Sequence, residues 1–191
     1  MMKESLKSNL ILIGMPGCGK STCGVLAAKA LCKSFIDTDL LIQQQEYGVA
    51  RAPRGASATR TAHGNNLQEI LNTRGYEYFS QAESRVLQEL EAENSIISTG
   101  GSAVYYEDAM KHLKENGTVI YLRISFDVML SRIRNITTRG ILLHDGETIQ
   151  DMYTAREPLY RKYADIIIDC DGLTVEESVT AVCGCLAVQG L

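Results

Sequence analysis

The stretch from Gly14 to Thr22, GMPGCGKST, puts two glycines, a lysine and a hydroxyl at the spacing G-x4-G-K-[ST]. Each residue type has a chemical reason to be there. The glycines let the chain turn so that successive backbone N–H groups face one phosphate, and the helix that follows adds the positive end of its dipole. The cradle comprises Gly17, Cys18, Gly19, Lys20, Ser21 and Thr22. Lys20 is the point charge for the β- and γ-oxygens, and the Ser21 hydroxyl is a ligand for Mg²⁺. An apolar run, Asn9–Ile13, precedes the loop and a small, apolar helical pattern follows it, which is the context this motif requires. The pattern implies a nucleoside triphosphate with Mg²⁺ and does not reveal the phosphate acceptor.

Two further stretches could face the same ligand. In FIDTDLLI, Asp37 and Asp39 stand just past a short strand, at the crevice where parallel α/β sheets bind ligands. A carboxylate there can orient an attacking hydroxyl and take its proton late in phosphoryl transfer. The bland alternative is a helix N-cap at Asp39 and an exposed loop acid at Asp37. Gly100-Gly101 likewise follows a buried apolar run, SIIS, and lets bare backbone approach a ligand.

These residues need a scaffold. Short apolar runs at Asn9–Ile13, Ser34–Asp37, Ser95–Ser98, TVIYLRI and Asp165–Asp169 alternate with helical patterns, predicting a parallel sheet covered on both faces. One long amphipathic helix is expected from about Gly75 to Glu93, with Phe79, Ala82, Val86, Leu87 and Leu90 as its apolar stripe. The segment Val49–Gly64 has three arginines, one histidine, no acid and no apolar period. It reads as a surface loop outside the core, rather than as a basic flap over an anion, because it lacks apolar anchors.

Composition narrows the classes. A chain of 191 residues with 45% apolar and 22% charged residues suits one α/β domain. A net charge of −4 with scattered basic residues argues against nucleic acid as a partner. No apolar run is long enough to span a membrane, and the N-terminal stretch lacks the apolar core of a signal peptide. Cys18, Cys23, Cys32, Cys170, Cys183 and Cys185 show no paired metal spacing and read as reduced thiols of a cytoplasmic protein. Oligomeric state is not legible in these features, and a monomer is the expectation.

Taken in order, LIGMPGCGKST, FIDTDLLI, STGGSAV, TVIYL and AREPLYRKYADIIID make the chain resemble the shikimate kinases from about Asn9 to Leu186, with 49–64 as an insertion. The resemblance implies a three-layer P-loop kinase fold of the nucleoside-monophosphate-kinase group, with a five-stranded parallel sheet. It implies one domain, with an acceptor region at about 38–93 and a lid at about 135–146. It also implies ATP and Mg²⁺, with a small polar hydroxyl compound as acceptor, shikimate above all. Asp37 is then the carboxylate that holds Mg²⁺ through water, and Asp39 hydrogen-bonds the acceptor hydroxyl. Gly100 and Gly101 wall the acceptor pocket beside Phe79, and Arg156 grips the acceptor carboxylate. Arg139 closes over the transferring phosphate, and Arg132 packs on adenine. For Arg156 and Arg132, solvated helix arginines are the alternative reading.

The pattern also breaks. A second clamp arginine belongs directly after Phe79, where this chain has Ser80, so Glu83 loses its counter-charge. Ser102 replaces the third glycine, and Gly140 stands where a proline usually follows the lid arginine. A charged hydrogen bond is worth about 1.5–3 kcal/mol, so one lost arm implies roughly ten- to a hundred-fold weaker carboxylate binding. Arg74 and Arg85 lie nearby but lack the right helical offset. The sequence therefore leaves three readings: a shikimate kinase, a kinase for a neutral or cationic hydroxyl acceptor, and a nucleotide-binding protein without phosphotransfer.

Overall fold

Strand β1 (Asn9–Ile13) is buried along its whole length and forms the centre of a five-stranded parallel sheet. Its neighbours are β3 (Ser95–Ser98) and β4 (Gly117–Arg123); β2 (Ser34–Asp37) and β5 (Ile166–Asp169) complete the order β2-β3-β1-β4-β5. Leu10 lies opposite Ile96 on one side and Thr118 on the other. Runs of Ile, Leu and Val without alternation are what a sheet buried on both faces demands. The computed structural model describes residues 8–47, 67–133 and 146–187. The insertion 49–64, most of the lid 135–146 and the lid arginine Arg139 lie outside the described residues.

Helices α1 (Lys20–Ala30) and α2 (Thr38–Tyr47) follow β1 and β2, and α3 (Leu67–Gln88) precedes β3. Helix α4 (Glu107–Asn116) leads into β4, α5 (Phe126–Ile133) and α6 (Ile149–Tyr163) lie between β4 and β5, and α7 (Val175–Ala187) ends the described chain. Helices α1 and α7 pack together, as do α3 and α4, giving a helical layer on each side of the sheet. None of the described helices is long and apolar enough to cross a membrane.

The long helix departs from the expected Gly75–Glu93. It begins earlier, at Leu67, and contains a break at Gly75 with φ 83° and ψ 171°. That backbone suits glycine, so Gly75 joins two helical pieces instead of starting one. The first piece is held by Ile70, which packs with Ile42 of α2 and with Phe79, Ala82 and Val86 in a small second core. The helix ends at Gln88, where Glu89, Glu91 and Glu93 would oppose the negative end of its dipole. Leu90, expected in the stripe, packs against the main core from beyond the helix end.

Helix α6 begins with a capping box: the Thr148 hydroxyl accepts from the Asp151 N–H, and the Asp151 side chain accepts from the Thr148 N–H. This start sets the phase of the helix and turns Arg156 and Tyr160, one turn apart, to the interior.

Candidate active site

The C-terminal ends of β1, β2 and β3 converge on one edge, and the loops leaving them carry the residues singled out above. At the end of β1 the phosphate loop turns through Gly14, Gly17 and Gly19, all with positive φ. A side chain at Gly14 would stand 2.6 Å from the Leu122 carbonyl oxygen and 2.9 Å from Cys18 Sγ, so only glycine fits. Lys20 is buried, and its ammonium donates to the carbonyls of Gly14 (2.7 Å) and Met15 (3.0 Å), curling back over the loop. The N–H of Cys18 is turned inward onto the Met15 carbonyl at 3.2 Å. Thr22 is exposed at the start of α1. Arg132 donates to the Gly17 carbonyl at 3.3 Å, which puts this arginine of α5 against the loop and not out in solvent.

Three oxygens meet beside the lysine. The Ser21 hydroxyl donates to Asp37 Oδ2 at 2.8 Å and lies 3.3 Å from the Ser98 hydroxyl. Asp37 Oδ1 accepts the Asp39 N–H at 3.1 Å, which fixes the start of α2. A carboxylate and two hydroxyls are hard oxygen donors that leave room for water, the donor set magnesium prefers. Ser98 was not picked out from the sequence; its place at the end of β3, level with Asp37 in the β2–β3 register, was the available signal.

Asp39 is half-buried, and its Oδ1 lies 3.1 Å from the point a Cβ on Gly100 would occupy. Glu83 Oε1 lies 2.2 Å from that same point, so a side chain at 100 would displace the Glu83 carboxyl. The Gly100 N–H donates to the Thr38 hydroxyl at 3.2 Å, locking the start of α2 to this loop. Gly101 faces the other way: Arg156 Nη1, Pro16 of the phosphate loop and the Tyr160 hydroxyl all lie within 3.5 Å of its Cβ position. The Tyr160 hydroxyl donates to the Gly101 carbonyl at 2.6 Å.

Arg156 is 2% exposed, which excludes the solvated-helix reading. Its Nε donates to the Tyr105 hydroxyl at 3.4 Å, and the guanidinium sits 5.2 Å from the Tyr105 ring centroid. Burial alone would lower its pKa, but Tyr160, Tyr105 and Glu83 more than offset this, so the group is held firmly cationic. Phe79 is buried between α2 and α3, where it packs with Ile42, Ile70, Ala82 and Val86.

Ser80 and Ser102, two of the three positions at which the sequence reading expected a departure, are brought together around Glu83 and Tyr106. This acid is fully buried, and its Oε2 accepts from the Ser102 hydroxyl (2.6 Å) and the Tyr106 hydroxyl (2.9 Å). The Ser80 hydroxyl lies against that of Tyr106. Burial pushes the Glu83 carboxyl up to about 7; Asp39 adds to this, while Ser102, Tyr106 and Arg156 counter it. Burial and the Glu83 charge also raise the Tyr106 phenol. Neither nearby arginine fills the vacant arm, because Arg74 and Arg85 pair with Glu46 at 2.7 and 3.4 Å on the outer face. The burial of Glu83 was foreshadowed by its place four residues after Phe79, inside the apolar stripe.

Cys183 and Cys185 are free thiols on α7, and no cluster of metal-ligating side chains occurs among the described residues.

The chain matches the family model for shikimate kinase over residues 16–52 and 57–187. A shikimate kinase of Thermodesulfovibrio yellowstonii is 33% identical over 172 residues, covering 88% of this chain and 89% of the relative. Among solved structures, a shikimate kinase from Acinetobacter baumannii in complex with shikimate superposes with a TM-score of 0.78 at 26% identity, covering 98% of this chain and 97% of that one. The shikimate kinase from Aquifex aeolicus gives a TM-score of 0.74 at 30% identity, covering 96% and 98%.

Proposed function

This chain belongs to the shikimate kinase family of ATP-dependent phosphotransferases, and we propose that it transfers the γ-phosphate of ATP to a hydroxyl of shikimate. The observation that carries the proposal is the convergence on one edge: Ser21 and Asp37 share a hydrogen bond, Asp39 adjoins Gly100, and Arg156 adjoins Gly101. That convergence supports a donor half and an acceptor half working side by side.

In this reading Lys20 leaves the loop carbonyls to meet the phosphates, with the backbone of residues 17–19 and the N-terminus of α1 around it. Ser21 and Asp37 would hold Mg²⁺, which when bound would screen the charge on the transferring group. Asp39 orients the acceptor hydroxyl and receives its proton late. Arg156, aimed by Tyr105, binds the acceptor carboxylate. Arg132 contacts the nucleotide, and Arg139, from the lid at 135–146, closes over the phosphate. The acceptor region spans 38–93, and the protein acts as a cytoplasmic monomer.

A second reading keeps the chemistry and changes the acceptor to a neutral or cationic hydroxyl compound. It is favoured by Glu83, which makes no ion pair among the described residues and burdens the pocket with negative charge once ionised. ADP release with shikimate, cyclic polyols, sugars and sugar acids separates the two. Turnover of shikimate supports the first; turnover confined to neutral polyols rejects it.

A further inference from the structure

We propose that Glu83 is a specificity-determining residue of the acceptor pocket: its protonated form admits an anionic acceptor and its charged form turns one away. In this way a buried carboxyl does by taking up a proton what a second arginine would do by charge. The inference rests on the reading above, that the acceptor lies between Asp39 and Arg156.

The geometry separates the two oxygens of Glu83. Oε2 is committed to Ser102 and Tyr106, while Oε1 is buried and has no hydrogen-bond partner among the described residues. Oε1 points at the Gly100 wall, sharing that wall with Asp39 Oδ1. A buried carboxylate with neither cation nor full hydrogen bonding is costly, and taking up a proton removes the charge. The proton belongs on Oε1, because Oε2 already accepts from two hydroxyls.

The groups facing Glu83 set the balance. They are Asp39 from α2, Arg156 from α6, Tyr106 at the start of α4 and Tyr76 on its own helix. Asp39 opposes ionisation of Glu83 and Arg156 favours it, so this carboxyl titrates between the two groups that bracket the acceptor. Its titration near neutrality, at about 7, places both forms within an ordinary assay range. When Glu83 is ionised, Arg156 is shared between Glu83 and the acceptor carboxylate, and affinity for an anion falls.

The test is the KM for shikimate at saturating ATP and Mg²⁺ between about pH 5.5 and pH 8.5, for the wild type, Glu83→Gln and Ser80→Arg. Gln keeps the shape and stays neutral. Arginine at 80 sits three residues before Glu83 on the same helix, at the spacing that brings side chains together, and offers Glu83 a cation. The ratio of wild-type KM to Glu83→Gln KM should climb about tenfold from pH 6 to pH 8, as for one group titrating at about 7. The kcat ratio should not change with pH. Ser80→Arg should show a low KM without that pH dependence. A KM ratio that is flat with pH, or a Glu83→Gln KM raised equally at every pH, would make Glu83 merely structural and overturn the inference. Should Glu83→Gln not fold, the wild-type rise and its absence in Ser80→Arg decide the matter. Absence of shikimate turnover in all three proteins would overturn the acceptor assignment, and this inference with it; turnover with a flat ratio overturns this inference alone.

Discussion

The hydroxyl of Ser102 donates to Glu83 Oε2 across 2.6 Å, joining α3 to the loop that follows β3. The Tyr106 hydroxyl is the second donor to that oxygen, and the Ser80 hydroxyl lies against Tyr106, so the serines at 80 and 102 belong to one polar cluster around the acid. Ser102→Ala should strip one donor from a buried acid and cost about 1–3 kcal/mol, read by chemical denaturation. A change within about 0.5 kcal/mol would mean that the contact contributes nothing.

Glu83 also ties stability to pH. Its folded value of about 7 stands above the ordinary 4.5, so the folded chain binds this proton more tightly than the unfolded chain. The stability it contributes is complete below the ordinary value and is lost as pH rises through the folded one. Glu83→Gln has no such group, so its stability relative to wild type should improve between about pH 5 and pH 8, by on the order of 1–3 kcal/mol. Thermal melts of both proteins at several pH values would check this; parallel curves would contradict it.

Asp39→Asn keeps the size and hydrogen-bonding shape of the side chain but cannot take up the acceptor proton. Turnover should fall at least about 10²-fold while ATP affinity barely changes. Steady-state kinetics with a separate nucleotide-binding measurement would distinguish this from a binding defect.

Asp37→Asn removes the charge that Ser21 faces at 2.8 Å. The Mg²⁺ concentration for half-maximal ADP release should rise about tenfold or more, since one carboxylate of a hard-oxygen site is gone. An unchanged Mg²⁺ dependence would take Asp37 out of the metal's surroundings.

Gly100→Ala places a methyl group 2.2 Å from Glu83 Oε1, so the buried Glu83 carboxyl must give way. Displacing it from Ser102 and Tyr106 should cost about 1–3 kcal/mol and lower acceptor affinity. Normal stability together with normal KM would refute the close approach.

The donor half was legible in the sequence because backbone builds it. A glycine-rich turn between a buried strand and a helix has few conformations, so GMPGCGKST implied both its shape and its ligand. The strands were legible for the same local reason: unbroken apolar runs bounded by turn residues, as at Asn9–Ile13 and Ser34–Asp37. The break at Gly75 was not, because a lone glycine in a helical pattern is ambiguous until its neighbours pack. Ser98 was also missed, since a serine ending a strand acquires meaning only from the strand paired beside it.

Local pattern thus pointed to the parallel sheet, the phosphate loop and the candidate residues at 37, 39, 100 and 101, and the family resemblance added Arg156. Folding settled what surrounds each of them. Arg156 could have been a solvated helix charge, and α6 buries it against Tyr105; Glu83 could have been an unpaired surface acid, and it lies sealed beneath Gly100 with Ser102 and Tyr106. Loops and strands follow from neighbouring residues along the chain, whereas burial and charge balance depend on residues brought together from far apart, and these set the ionisation of Glu83.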